Sequence, residues 1–151
     1  MSSHQIHVLS ADADATLDDE AEEAVRRVLA DSFPSSEIRI RRFGGVVLVS
    51  AMGAFEAARC PRCQVDLSHP EPSWQAAMAA SHRTGFRERR WTTPCCGLAT
   101  TLDALAYAPE QGFASFEIVV ADPGRDQLTD AEKARLTSAL GTPVRLISVH
   151  V

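Results

Sequence analysis

The chain lacks most of the features that mark an enzyme or a membrane protein. None of its 151 residues form a Gly-x-Ser-x-Gly elbow, a phosphate-cradling glycine loop or a His-Glu-x-x-His pair. Those are the arrangements that expose a nucleophilic serine, bind a nucleotide or hold a catalytic zinc. The longest uncharged apolar stretch, Phe43 to Phe55, is shorter than the ~20 residues a membrane helix needs. Met1-Ser2-Ser3-His4-Gln5 has neither the basic region nor the apolar core of a secretory signal, so the expected location is cytoplasmic. Lysine occurs once against 14 arginines, the bias expected of a high-GC bacterial genome and not a functional signal. The net charge of −5 gives no general attraction to a polyanion. Hydrophobic content of 45% and charged content of 23% are ordinary, and the length suits a single domain with a small insert.

Cysteine is also scarce, and its placement carries most of the information. The four cysteines stand in two tight pairs, Cys60-Pro61-Arg62-Cys63 and Pro94-Cys95-Cys96-Gly97, with 31 residues between Cys63 and Cys95. In a reducing compartment paired cysteines point to metal rather than to disulfides. Two pairs of soft thiolates make a tetrahedral site suited to a structural Zn²⁺. The first pair has the spacing at which one turn presents two sulfurs to one ion. The second is unusual, because adjacent side chains in an extended strand point to opposite faces. Cys95 and Cys96 can both ligate only if the backbone turns at Pro94 or at Gly97, and glycine suits such a turn. A set of three cysteines with His69 or His82 is the alternative. A redox Cys-Pro-x-Cys needs its first cysteine at a helix N-terminus. Gln64 to Leu67 alternates like a short strand and Pro70 and Pro72 follow, so no long helix starts at Cys60.

Around this segment the chain reads as a repeated pattern. Gln5 to Leu9 is expected as a strand with Ile6 and Val8 on one face. Thr16 caps a helix whose apolar stripe is Leu17, Ala21, Val25, Val28 and Leu29, with Pro34 beyond its end. Glu37 to Phe43 alternates as a half-exposed strand. Gly44-Gly45 is expected to turn a hairpin into Val46 to Ser50, a run apolar enough for burial on both faces. The acidic run from Asp12 to Glu23 lacks the ligand spacing of a calcium loop and reads as a solvated surface. The pattern then returns: Ala114 to Val120 alternates, and Thr129-Asp130-Ala131-Glu132 is a capping box. Leu136, Ala139 and Leu140 form a stripe, Gly141 and Pro143 end the helix, and Val144 to Val151 closes the chain.

Two strand–helix–strand units predict an α+β, ferredoxin-like sandwich: a mainly antiparallel sheet with its helices on one face. Residues 1–51 and 113–151 would form it, with 52–112 as an inserted zinc-binding subdomain. A doubly wound parallel sheet is the alternative, with too few βα units to favour it. Within the insert, Ser73 would cap a helix reaching toward Gly85, with Trp74, Ala77, Met78 and Ser81 on one face and Trp74 as a packing anchor. Arg87 to Thr93 would form a strand leading to the second cysteine pair. Leu98, Leu102 and Leu105 would pack beneath the metal, with Tyr107 over them.

The run Cys60-Pro-x-Cys63, Trp74, Gly85-Phe86, Thr93-Pro94-Cys95-Cys96-Gly97 and Gly112-Phe113 resembles a group of uncharacterised bacterial zinc-ribbon proteins, over about a third of the chain. The resemblance implies a structural zinc with Cys60, Cys63, Cys95 and Cys96 as candidate ligands, and it offers no enzymatic activity to carry over. The expected function is a non-enzymatic, zinc-stabilised protein-interaction module: an adaptor, a regulator or a toxin-neutralising protein. Its partner would meet an outward sheet face bearing Arg39, Arg41 and Glu117. The alternative is nucleic-acid binding through Arg83, Arg87, Arg89 and Arg90 beside Phe86 and Trp91, since basic groups grip phosphates and aromatics stack bases. Six arginines against six carboxylates over residues 52–112 weigh against it. An enzymatic reading has only His7 and His150, placed on the first and last strands, as an acid–base pair.

Overall fold

The computed structural model describes residues 3–50, 55–69 and 73–150. In chain order its elements are β1 (His4–Ser10), α1 (Asp19–Ser32), β2 (Ile38–Val49), β3 (Ala57–Arg59), α2 (Ser73–Arg83), β4 (Arg90–Thr92), β5 (Ala99–Thr101), β6 (Ala106–Ala108), β7 (Gly112–Ala121), α3 (Asp130–Leu140) and β8 (Val144–His150). A single 3₁₀ turn, Leu102–Ala104, lies between β5 and β6. The chain divides into two compact units, Met1–Gly45 with Phe113–Val151, and Val46–Gly112.

In the first unit the strand–helix–strand segments β1–α1–β2 and β7–α3–β8 contribute interleaved strands to one sheet, in the order β2-β7-β1-β8. Central β1 is antiparallel to both neighbours, pairing Ile6 with Val120 on one side and with Ser148 on the other. The parallel, doubly wound alternative is excluded by these pairings. Alternation along the strands sends Ile6, Val8, Phe116, Ile118 and Val120 to one face. There they meet Val25, Val28, Leu29 and Phe33 of the first helical segment and Leu136 of α3. Ile38 and Ile40 pack against this core while Arg39 and Arg41 are exposed, as their alternation requires.

The helix ends follow from local chemistry. The α3 N-terminus is the expected capping box: Thr129 Oγ1 accepts from the Glu132 N–H and the Glu132 carboxylate accepts from the Thr129 N–H. Gly141 closes α3 in the left-handed conformation at φ 76°. The cap of α1 is Asp18, not Thr16, its carboxylate accepting from the Ala21 N–H at 2.7 Å. An aspartate there also adds charge to the positive end of the helix dipole.

Three expectations about strands are corrected. Gly44-Gly45 does not turn a hairpin, since β2 runs through both residues to Val49. Gly44 takes a φ of +72°, a conformation that glycine adopts without reversing the chain. Val46 to Leu48 are only half-buried and Ser50 is exposed, so this run is not covered on both faces. The arginine-rich strand is also shorter than expected, with β4 beginning at Arg90 rather than at Arg87.

The second unit is built from short pieces. Two three-residue ribbons, β3 with β6 and β4 with β5, are each antiparallel. Helix α2 turns Trp74, Ala77, Met78 and Ser81 to one half-buried to buried face, the face that spacing predicts. Trp74 stacks on Phe55 at 5.1 Å and lies tilted against Tyr107 at 6.1 Å, so it is a packing anchor. Ser73 is itself the first helical residue, and its hydroxyl has no hydrogen-bond partner among the described residues, so it does not cap α2. Pro70 and Pro72 lie outside the described residues. Leu102 and Leu105 are buried and Leu98 half-buried, while the Tyr107 hydroxyl donates to the Leu102 carbonyl at 2.6 Å.

Candidate metal centre

Two turns of the second unit bring the cysteines together. At the first, β3 ends at Arg59 and the chain folds tightly over Cys60 to Val65. The Cys60 N–H donates to the Val65 carbonyl and the Gln64 N–H to the Cys60 carbonyl, both at 3.0 Å. The Arg62 N–H points at Cys60 Sγ at 3.4 Å. Gln64 closes the turn with a φ of 67°. Beyond it, the short strand expected over Gln64 to Leu67 is reduced to one bridge, Arg59 to Asp66.

The second turn repeats this ladder one ribbon later. The Thr93 N–H donates to the Leu98 carbonyl at 2.9 Å and the Gly97 N–H to the Thr93 carbonyl at 3.0 Å. Gly97 closes it at φ 69°. Matching the two ladders bond for bond sets Thr93 opposite Cys60, Cys95 opposite Arg62, Cys96 opposite Cys63 and Gly97 opposite Gln64. The adjacent cysteines are therefore the third and fourth residues of a turn built like the first, with threonine in its first position. Thr93 is buried, and its hydroxyl accepts from the Leu98 N–H at 3.1 Å, 3.6 Å from Cys96 Sγ. It holds the turn shut at the place Cys60 takes in the first turn, and Cys95 brings a second sulfur to this turn two positions on.

All four sulfurs lie within 4.8 Å of one another. Cys60 to Cys96 is 3.7 Å, Cys63 to Cys95 is 3.3 Å and Cys95 to Cys96 is 3.8 Å. Sulfurs bound tetrahedrally at ~2.3 Å from one ion stand about 3.8 Å apart, so these spacings fit a four-thiolate metal site. They are far too long for a disulfide, whose sulfurs approach to ~2.05 Å. Neither His69 nor His82 joins the group; the His82 ring instead meets Phe86 edge-on at 5.3 Å.

The quartet is also electrostatically uneven. The Cys60 thiol is pulled down to about 6, chiefly by a hydrogen bond from the Cys63 backbone, while burial opposes the shift. The Cys95 thiol is pushed up to about 11, first by desolvation of its sulfur and then by the neighbouring thiols. Crowded sulfurs cannot all ionise together without a cation among them, so metal capture here must release protons.

The arginine cluster of the same unit is less available than its sequence implies. Arg89 is mostly buried, donating to the Phe86 carbonyl at 2.5 Å, with its Nε 3.5 Å from Asp103. Arg90 is held by Glu88 through two bonds of 2.8 and 3.1 Å, which lower the Glu88 carboxyl below its ordinary value. Phe86 is buried and offers no face for stacking. Arg83 and Arg87 are exposed, and half-buried Trp91 lines an open depression with Thr92, Ala99, Thr100 and Thr101.

In the first unit His7 and His150 do not pair. His7 lies opposite Ile147 and is buried, with Nδ1 2.9 Å from Glu117 and Nε2 3.0 Å from Gln5. Glu117 lies on the opposite sheet face from Phe116 and Ile118, but it is buried and is not the surface charge expected; Arg41 reaches it from the surface at 3.5 Å. The residue opposite His150 is His4. No described helix is long and apolar enough to cross a membrane. Compared with protein-family models, curated proteins and solved structures, the chain matches none.

Proposed function

We propose that Cys60, Cys63, Cys95 and Cys96 hold one structural Zn²⁺ in a zinc-ribbon-like second unit. The first unit is read as a ferredoxin-like sandwich, supported by the interleaved strand order β2-β7-β1-β8. The reading that follows is a non-enzymatic protein-interaction module of the reducing cytoplasm, serving as an adaptor, regulator or toxin-neutralising protein. The observation that carries the metal site, on which this reading rests, is the sulfur spacing: 3.3 and 3.7 Å between the two matched turns and 3.8 Å within the second. Four thiolates leave the ion no open position for water or substrate, so the metal supplies structure and not catalysis. Arg39 and Arg41, exposed on the sheet's edge strand β2, are the contacts assigned to an acidic protein partner.

Metal analysis of protein prepared without chelator tests the site, with about one zinc per chain expected. A content below a tenth of an equivalent would overturn it. The competing nucleic-acid reading draws support from exposed Arg83 and Arg87, and from the open depression that Trp91 lines with Arg90. Fluorescence anisotropy with labelled DNA and RNA at low salt separates the two. No retention is expected, because Arg89 and Arg90 already meet carboxylates. Micromolar binding that disappears in an Arg83→Glu/Arg87→Glu variant would promote the nucleic-acid reading.

A further inference from the structure

A second group of metal-ligating side chains stands in the first unit, apart from any cysteine. His4 and His150 are direct cross-strand partners at the β1–β8 edge, and their rings stack with centroids 4.2 Å apart and planes 6° from parallel. Both Nε2 atoms turn to the same carboxylate oxygen: Asp126 Oδ1 is 3.2 Å from His4 and 3.4 Å from His150. Asp126 comes from the loop between β7 and α3, and the start of that loop is tied to β1 by the Asp122 N–H donating to the His4 carbonyl at 2.8 Å. Ser148, on the same face of β8 as His150, brings its hydroxyl to 2.8 Å from His4 Nε2 and 3.5 Å from Asp126 Oδ1.

We infer that His4, Asp126 and His150 form a surface site for a borderline first-row divalent cation of the Zn²⁺ or Ni²⁺ class. Two imidazoles and one carboxylate are the donor set such ions favour, whereas calcium and magnesium require an oxygen shell. The spacing agrees: ligands bound at ~2.0–2.1 Å stand about 3.4 Å apart in a tetrahedron and about 3.0 Å apart in an octahedron. The two histidine–carboxylate edges of 3.2 and 3.4 Å fall in that range, and the three donor atoms lie within 4.8 Å of one another. Capture of an ion therefore requires only that the stacked rings turn until both Nε2 lone pairs converge on it. An ion here would keep at least one position for water, because the protein supplies three strong donors and the exposed side of the group faces solvent. The site thus differs in kind from the thiolate quartet: it is hard-to-borderline, exposed and open.

The test uses the full chain with zinc already bound at its cysteines, titrated with Ni²⁺. Calorimetry reads the stoichiometry, and amide and imidazole NMR signals report where the paramagnetic ion sits. One further saturable equivalent at micromolar concentration is expected, with broadening confined to the neighbourhoods of His4, Asp126 and Ser148–His150. His150→Ala should weaken this binding by at least about tenfold, as Asp126→Asn should, while the cysteine-bound zinc is unchanged. Both residues are exposed, at 66% and 67% of their side chains, so circular dichroism should remain that of the parent. If His150→Ala disturbed the edge strand, the loop variant Asp126→Asn would decide alone. No saturable equivalent, broadening elsewhere, or binding unaffected by Asp126→Asn would each overturn the inference and leave an ordinary His–Asp ion-pair cluster. Because zinc at the cysteines is measured separately, failure here is distinct from failure of the proposed structural site.

Discussion

The two units of the chain are held by different means. The first has a continuous apolar core in which Ile6, Leu29, Phe116, Ile118 and Leu136 are essentially inaccessible, and its strands β1 and β8 run for seven residues. The second has, beside the end of β2, only three-residue strands among its described residues, and the apolar side chains buried there are Val49, Ala57, Ala58, Leu67, Phe86, Leu102 and Leu105, with Cys60. Burial scales with apolar area, so a unit this thin needs a staple, and the four clustered cysteines are placed to provide one once a metal is bound. The difference teaches that the two halves should fail under different insults.

The largest expected effect breaks the second unit alone. Structural zinc contributes on the order of 10 kcal/mol to folding a small metal module. Cys60→Ser, or a strong chelator, should therefore melt residues 46–112, read as loss of Trp74 and Trp91 fluorescence structure. Protons compete for thiolates, so zinc should be released as the pH falls, and never as it rises toward neutrality. Persistence of the native tryptophan spectrum in metal-free protein would show that the second unit needs no staple.

The next effect strikes the first unit and should spare the metal. Leu136→Ala empties a fully buried position on α3 and should cost about 2–5 kcal/mol. Amide exchange of α1, α3 and the sheet should accelerate while zinc content stays at parity. Equal loss of zinc would mean the two units unfold together.

A smaller effect concerns the polar clamp between the helices. Arg125 meets Glu132 through two bonds of 2.6 Å, donates to the Ser32 carbonyl at 3.2 Å and lies over the Phe33 ring at 4.4 Å. The guanidinium holds the Glu132 carboxyl well below the usual carboxylate range. A depressed folded-state value adds stability that is fully present above the ordinary glutamate pKa of ~4.3 and is lost progressively as the pH falls below it. Glu132→Gln should cost about 1.5 kcal/mol near neutrality, a modest value because Arg125 is partly exposed and screened. In denaturation monitored by helix amide exchange, the gap between parent and variant should narrow on acidification. A gap that widens in acid would exclude the clamp.

How much of this was legible in the sequence depended on whether one residue's neighbours decided its conformation. Thr129 and Glu132 make their capping box within one turn, and the alternation of Phe116, Ile118 and Val120 is a property of the strand itself. Those features were readable. Gly44-Gly45 looked like a hairpin because glycine pairs permit one, but permission is not a requirement, and β2 continued. Glu117 looked like a surface charge until tertiary packing buried it against His7. The stacked His4–His150 pair depended on strand register, which sequence spacing does not fix. Thr93 was missed although its signal was present: Thr-Pro-x-Cys-Gly parallels Cys-Pro-x-Cys-Gln once hydrogen bonds, and not cysteines, set the alignment.

That alignment supports the finest prediction, which sets the two turns against each other. Gln64 and Gly97 occupy the same place with φ values of 67° and 69°, yet only one of them is glycine. A β-carbon in this left-handed region costs about 1–2 kcal/mol, and nothing lies within 4 Å of where a Cβ on Gly97 would stand. Gly97→Ala should thus lose about 1 kcal/mol through backbone conformation alone, weakening zinc retention against a chelator about fivefold. Gly97→Asn should recover part of that loss, because asparagine tolerates this region. Gln64→Gly relieves the same strain in the first turn, but glycine also frees the unfolded chain by about 0.4–1 kcal/mol. The variant should therefore stand at or slightly above the parent, the mirror of the net loss in Gly97→Ala. The expected order of zinc retention is Gln64→Gly at or slightly above the parent, then Gly97→Asn, then Gly97→Ala. If Gly97→Asn were as poor as Gly97→Ala, conformation would not be the cause, and the equivalence of the two turns would fail at its closing residue.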